Sequence, residues 1–341
     1  MTRGFGSDNH SGIHPRILSS IAEANAGHAP SYGTDAWTAQ AEKIFRQHFG
    51  PKAEVFFVFN GTAANVLALK ASAKSFQSCY CADLSHVNVD ECAAPEIMAG
   101  VKLIPLPARQ GKISLDDIKK VHVRRGDQHC TQGRIISLTQ PTELGTCYGI
   151  EEMKEIISWA KTENLLIHID GARLANACVQ LNLTFQQLTT DLGVDVVSFG
   201  GTKNGLMMGE AVVFLNTAIA KDFKFYRKQM AQLPSKTRFI AAQFIAYFQN
   251  DLWKEIATHS CTMAEKLSSG VREIPGVEIT QARESNGVFA KIPQDWVKPL
   301  REKYFFYVWD EHTFECRWMT SWDTEDSDVE GFVQTLKELS R

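Results

Sequence analysis

The sequence has no apolar stretch long enough to cross a membrane. Its longest largely apolar runs, VFFVF at 55–59 and LLIHI at 165–169, are strand-length, well short of the ~20 residues a membrane helix needs. The opening MTRGFGSDNHSG has no apolar region of the secretory type, so no signal peptide and no membrane association are expected. Neither sign of charge dominates. Lys and Arg total 36 against 39 Asp and Glu, a net charge of −3, which removes the electrostatic case for a nucleic-acid partner or an anionic lipid surface. The eight cysteines form no CxxC pair, which argues against a structural zinc site. Buried thiols in a reducing cytoplasm are expected instead. Repeats and low-complexity segments are absent. So are a GxGxxG turn and a phosphate loop ending in GK[ST], which disfavours a nucleotide-binding enzyme.

The composition, 44% hydrophobic and 22% charged over 341 residues, is that of a globular protein with one large domain and a smaller one. From residue 52 onward, short apolar runs alternate with helical patterns. The runs are EVFFVF (54–59), CYCA (79–82), VKLIPL (101–106), RIISL (134–138), LLIHID (165–170), VDVVSF (194–199) and EAVVFL (210–215). Between them, EEMKEIISWAKTEN (151–164) sets Met153, Ile156, Ile157 and Ala160 on one helical face. Strands buried on both faces and alternating with helices predict an α/β fold with a mostly parallel, seven-stranded sheet covered on both sides. The pattern changes near residue 235. Residues 236–273 read as nearly all helical, and Pro275-Gly276 breaks the chain. GVFAKI (287–292), YFFYVW (304–309) and FECRWM (314–319) then read as strands, and 325–340 as a closing helix. We therefore expect a large domain over 1–245 and a small α+β domain over 246–341.

Three segments carry chemistry-bearing residues at strand ends. SFGGTKNG (198–205) puts Lys203 in a glycine-rich turn. There it is either a solvated loop lysine or an amine able to form a Schiff base with a carbonyl cofactor. HIDGARL (168–174) places Asp170 at the carboxyl edge of a buried strand, where open α/β sheets bind ligands. It is either a helix N-cap or the partner of a pyridine nitrogen. FNGTAANVLAL (59–69) reads as strand, turn and helix. Gly61, Thr62 and Ala63 would offer N–H groups to a phosphate, with Asn60 or Thr62 as an ordinary cap in the alternative. In this order the three segments match the phosphate, the ring nitrogen and the aldehyde of one cofactor, pyridoxal 5′-phosphate (PLP).

Together with SDNHSGIHP (7–15), YGTD (32–35), NGTAAN (60–65) and SHVNVDE (85–91), these segments make the sequence resemble the threonine aldolase branch of the β-eliminating lyase superfamily of PLP enzymes of fold type I. HIDGARL with the lysine downstream is the most specific part. The resemblance implies that Lys203 binds the aldehyde, Asp170 the pyridine nitrogen, and Gly61 and Thr62 the phosphate. It further implies that His86 stacks on the ring, Arg317 grips the substrate carboxylate, and Ser7 and Arg173 lie on the carboxylate side. The implied reaction cleaves a β-hydroxy-α-amino acid, L-threonine or L-allo-threonine, to glycine and acetaldehyde. A homo-oligomer, dimer or tetramer, is implied too, with Tyr32 and the pair Lys236 and Arg238 as candidates to reach a neighbouring site.

The match departs from the family at two places. TQPTELG (139–145) stands where an Asn-Thr-His-Asn segment is usual, and GGTKNG replaces a Ser-Lys-Gly run. The missing histidine leaves His86, Glu143 or Thr142 as candidates for the group that takes the β-hydroxyl proton, and His86 is the favoured one. Another PLP reaction, such as β-elimination from an aromatic amino acid or a phenylserine-type cleavage, is the main alternative. A binding protein on the same fold is the other, and the joint presence of Lys203, Asp170 and the phosphate turn argues against it. His10 and His14 are not expected to hold a metal, and the aromatic run YFFYVW is expected to be a core strand.

Overall fold

A computed structural model describes residues 3–341. All seven expected runs form strands of one sheet: β1 (Glu54–Val58), β2 (Gln77–Ala82), β3 (Lys102–Leu106), β4 (Gln132–Thr139), β5 (Leu166–Gly171), β6 (Val196–Phe199) and β7 (Glu210–Phe214). The spatial order is β1-β7-β6-β5-β4-β2-β3. Pairings from β3 through β6 are parallel, whereas β7 runs antiparallel to both β6 and β1. Parallel neighbours need crossover connections, and helices supply them. The helix Ile150–Thr162 buries Met153, Ile156, Ile157 and Ala160, the face expected from its spacing. Central strands are buried on both faces, as Ile135, Ile136, Ile167, Ile169, Val196 and Val197 show. Beside β1 and β6, Phe45, Phe49, Phe57, Phe185, Phe199, Phe244 and Phe248 form an aromatic cluster in the main core. No helix among the described residues is long and apolar enough to cross a membrane.

A second, antiparallel sheet has the order β10-β11-β9-β8, with β8 at Glu278–Ile279, β9 at Gly287–Lys291, β10 at Tyr307–Asp310 and β11 at Glu315–Met319. The helix Leu252–Val271 serves both cores. Leu252, Trp253, Ile256 and Ala257 pack with the large sheet, and Met263, Ala264, Leu267 and Val271 pack beneath the small one. Phe5 joins the small core and is tied there by its N–H to Phe305 O at 2.7 Å and by Met319 N–H to its own carbonyl at 2.7 Å. Gly4 is required at this crossing, because a Cβ would lie 2.7 Å from Phe305 O. The N-terminal segment thus crosses the small domain before reaching the large sheet.

The C-terminal expectations need three corrections. The run 304–309 is only partly a strand, since β10 begins at Tyr307 and Phe305 lies exposed. The helix Gln294–Lys303 was not foreseen because it contains Pro299, which the sequence reading takes as a breaker. β8 is two residues long, too short for any periodicity to reveal. All eight cysteines are free, but only six are buried, since Cys92 is exposed and Cys130 partly so.

Candidate active site

A cavity of about 660 Å³ opens at the carboxyl ends of β4, β5 and β6, the edge where open α/β sheets bind ligands. Every sequence-derived site residue lines it: Ser7, Gly61, Thr62, His86, Asp170, Arg173, Lys203 and Arg317. Tyr32, Lys236 and Arg238 do not. The N-terminal segment and the small domain close it from the far side of the large sheet.

The helix Gly61–Ser72 points its N-terminus into this space. Asn60 is the cap, its side chain accepting from Ala63 N–H at 2.9 Å. The expectation of three free N–H groups is therefore corrected to two, those of Gly61 and Thr62. Nothing lies within 4 Å of where a Gly61 Cβ would be, so the turn is open to an anion. Asp170 belongs to β5 and caps no helix, because the following helix, Leu174–Leu181, starts four residues later. One of its oxygens accepts from Ala172 N–H at 3.2 Å, the other from Asn65 Nδ2 at 2.9 Å.

Lys203 sits in a short turn, Thr202–Asn204, between β6 and β7. Gly200 makes its placement possible, for a Cβ there would lie 2.1 Å from Ala172 O. That close approach brings the lysine loop against the end of β5. Lys203 is not solvated: the charge of Arg173, then burial, lowers its pKa, while Asp8, Asp170 and Glu210 oppose the shift. A lowered amine pKa leaves more of the nucleophilic free base at neutral pH. Glu210 braces the loop by accepting Gly201 N–H at 2.6 Å, and burial pushes its carboxyl up to about 7.

His86 begins the short helix His86–Val89. Its Nδ1 lies 2.8 Å from Glu91 Oε1, and its main-chain N–H donates to Glu143 Oε1 at 2.8 Å. The same Glu143 oxygen accepts from Thr139 Oγ1 at 2.9 Å, while Oε2 is buried without a partner. Burial first, with the charge of Asp170 adding to it, lifts the Glu143 carboxyl to about 7.

Arg317, on β11, has no carboxylate ion pair among the described residues. Its guanidinium lies 5.7 Å from the Tyr307 ring and 5.1 Å from that of Trp309, and one nitrogen donates to Gly6 O at 3.4 Å. Its Nε is buried and unpartnered, and burial lowers its pKa to about 10. A cation held dry with no anion is matched to one arriving from outside. Arg173 differs, since it already grips buried Asp8 through Nε at 2.6 Å and a terminal nitrogen at 2.8 Å. Ser7 caps the adjoining turn, accepting Asn9 N–H at 3.2 Å.

Sequence reasoning missed Asp8, Asn65, Glu91, Glu210, Tyr307 and Trp309. Asp8 carried a signal, as an acid in SDNHSG to match the arginine of HIDGARL. Tyr307 and Trp309 sit in the run read as a core strand, yet both line the cavity.

An anion-ready helix terminus, an aspartate at the strand end and a half-buried lysine around one cavity fit the phosphate, ring nitrogen and aldehyde of PLP. Fold and site therefore define a PLP-dependent enzyme of fold type I. Residues 4–294 match the family described as beta-eliminating lyase, and the chain belongs to that family. It is 42% identical to a low specificity L-threonine aldolase of Pseudomonas aeruginosa, over 100% of this chain and 96% of the relative. A second such aldolase, from a Pseudomonas species, is 42% identical over 98% of this chain and 96% of its own. Among solved structures, the threonine aldolase of Leishmania major superposes with a TM-score of 0.94 at 28% identity, covering 99% of this chain and 100% of that one.

Proposed function

We infer that the protein is a PLP-dependent carbon–carbon lyase that cleaves L-threonine or L-allo-threonine to glycine and acetaldehyde. The observation that carries this reading is the unpaired Arg317 facing the same cavity as Lys203 and Asp170. A site built for a carbonyl cofactor thus also holds a cation free for an amino-acid carboxylate. When bound, PLP supplies a carbonyl for the substrate amine and a protonated ring that accepts the electron pair left at Cα.

The chain's own residues do the rest. Gly61 and Thr62 donate their N–H groups to the phosphate. Asp170, kept in place by Ala172 N–H and Asn65, holds the proton on the ring nitrogen. Lys203 would hold the aldehyde end of the cofactor through its amine. Arg317 orients the substrate through its carboxylate, beside Ser7 and Arg173. His86, at the cavity wall, would stack on the ring and take the β-hydroxyl proton, so that the O–H electron pair closes the aldehyde as Cα–Cβ breaks.

The test is to give the PLP-loaded protein L-threonine and L-allo-threonine and measure acetaldehyde and glycine. Ammonia release from an aromatic amino acid, with no acetaldehyde from either threonine, would favour β-elimination instead. Arg317→Leu should raise KM for threonine about 10–150-fold, given ~1.5–3 kcal/mol for a charge-assisted contact and ~1.4 kcal/mol per decade, with PLP absorbance intact. An unchanged KM would remove the carboxylate role.

We also propose that residues 1–245 and 246–341 are the two domains, and that the protein works in the cytoplasm as a homo-oligomer, dimer or tetramer. Six buried free thiols support a reducing compartment. Exposed Ile97 and Phe225, at 77% and 62%, support self-association. Tyr32, half exposed beneath the Lys228 ammonium, and the pair Lys236 and Arg238 are the residues proposed to approach a neighbouring site.

A further inference from the structure

Behind His86 lies a side-chain network that the reaction scheme above does not use. The Glu91 side chain is fully buried, and its Oε1 meets two groups, His86 Nδ1 at 2.8 Å and Asn65 Nδ2 at 2.8 Å. The same Asn65 nitrogen donates to Asp170 Oδ2 at 2.9 Å. A continuous chain, Asp170–Asn65–Glu91–His86, therefore joins the aspartate that would hold the ring nitrogen to the imidazole at the cavity wall. The chemistry of the donors sets its direction. An amide nitrogen only donates, so Asp170 and Glu91 both accept from Asn65. Glu91 Oε1 then accepts from the imidazole as well, which places the hydrogen on Nδ1 and leaves Nε2 as the ring's basic nitrogen. The other Glu91 oxygen is buried with no partner. A carboxylate kept dry in this way is costly unless a cation compensates it, and His86 is the group bonded to it that can become one.

We propose that Glu91 is a positioning residue for the cleavage, fixing the Nδ1–H form of His86 so that Nε2 accepts the β-hydroxyl proton, and stabilising the imidazolium that results. In that step the substrate O–H bond breaks and an Nε2–H bond forms. The O–H pair becomes the second bond of the aldehyde carbonyl, and the Cα–Cβ pair stays with the glycine carbon. The groups facing His86 agree with this assignment. The Glu91 hydrogen bond raises its pKa, burial opposes, Asp170 adds to the rise and Lys203 lowers it. Glu143 reaches only its main-chain N–H, and Asp90 lies on the same segment at the cavity wall. This inference rests on the aldolase reading for its kinetic consequence but not for its charge state.

Glu91→Gln separates charge from geometry, because a carbonyl oxygen can still accept from both Asn65 and His86. In cofactor-free protein labelled at histidine with ¹⁵N, the His86 resonance, identified by its loss in His86→Phe, should titrate about 1 pH unit lower in Glu91→Gln. In the holoenzyme a proton acceptor must be deprotonated, so activity is lost as pH falls through the His86 pKa. The acidic limb of kcat/KM should then move down by the same amount, with PLP absorbance unchanged and kcat on the plateau falling up to about 10-fold. Glu91→Asp, which keeps the charge on a shorter arm, should keep the raised pKa and lose kcat. It also serves if the glutamine variant does not fold. An unmoved His86 titration in folded Glu91→Gln, or an ordinary histidine pKa in Glu91→Asp, overturns the proposal. Absence of all aldolase activity alongside the expected titration shift would instead count against the reading of the reaction, leaving the pair intact.

Discussion

Lys203→Ala should abolish acetaldehyde release from threonine and remove the visible Schiff-base band of protein-bound PLP, while the fold survives. The lysine interacts with Asp8, Asp170 and Glu210 through charge alone, and Arg173 stays bonded to Asp8 and close to Asp170 after truncation. The loop is held by other means, namely Gly201 N–H on Glu210 and the close packing of Gly200 on Ala172. A melting temperature within a few degrees of wild type is therefore expected. The loss of turnover should be complete, because no other lysine among the described residues lines the cavity. The checks are a spectrum, a coupled aldehyde assay and borohydride reduction of wild-type holoenzyme followed by peptide mapping. Reduced cofactor recovered on a peptide without Lys203 would sink the assignment.

The seven strands of the large sheet were legible because both of their faces are buried, which writes each as an unbroken apolar run. The small domain was less so. β10 begins three residues into its aromatic run, since Phe306 enters the core while Phe305 stays exposed, and the helix over 294–303 is masked by Pro299. Within the site, Lys203 was readable because it follows a buried strand in a turn rich in small residues, and Asp170 because it stands at the carboxyl end of a buried strand just before one. Glu91 was not, for in VDECAA a carboxylate looks like a solvated turn residue. Only the fold reveals that Asn65, 26 residues earlier, and His86 meet it away from water. Glu210 was hidden in the same way, because its partner, the main chain of Gly201, is met only through the fold.

His86→Phe should lower kcat by the ~10²–10⁴ typical of lost proton transfer, with PLP content retained, since phenylalanine keeps an aromatic face for the ring. Glu143→Gln, measured beside it, should stay within a few-fold of wild type. The missing family histidine left His86, Glu143 and Thr142 as candidates, and geometry separates the first two. Glu143 has a carboxyl lifted to about 7, close to working pH, yet one oxygen is occupied by two donors and the other is shut away from solvent. A glutamine carbonyl can hold both donors, so the His86 main chain stays in place without the charge. Both residues line the cavity, but the His86 side chain is 38% exposed. The phenylalanine variant also takes the His86 hydrogen bond from buried Glu91, at a cost of about 1–3 kcal/mol, so its melting temperature is read at the same time. The kinetic loss should persist at temperatures where the variant is fully folded. Near-normal kcat in His86→Phe, with a large fall in Glu143→Gln, would transfer the proton-accepting role to Glu143 and leave His86 as a stacking group alone.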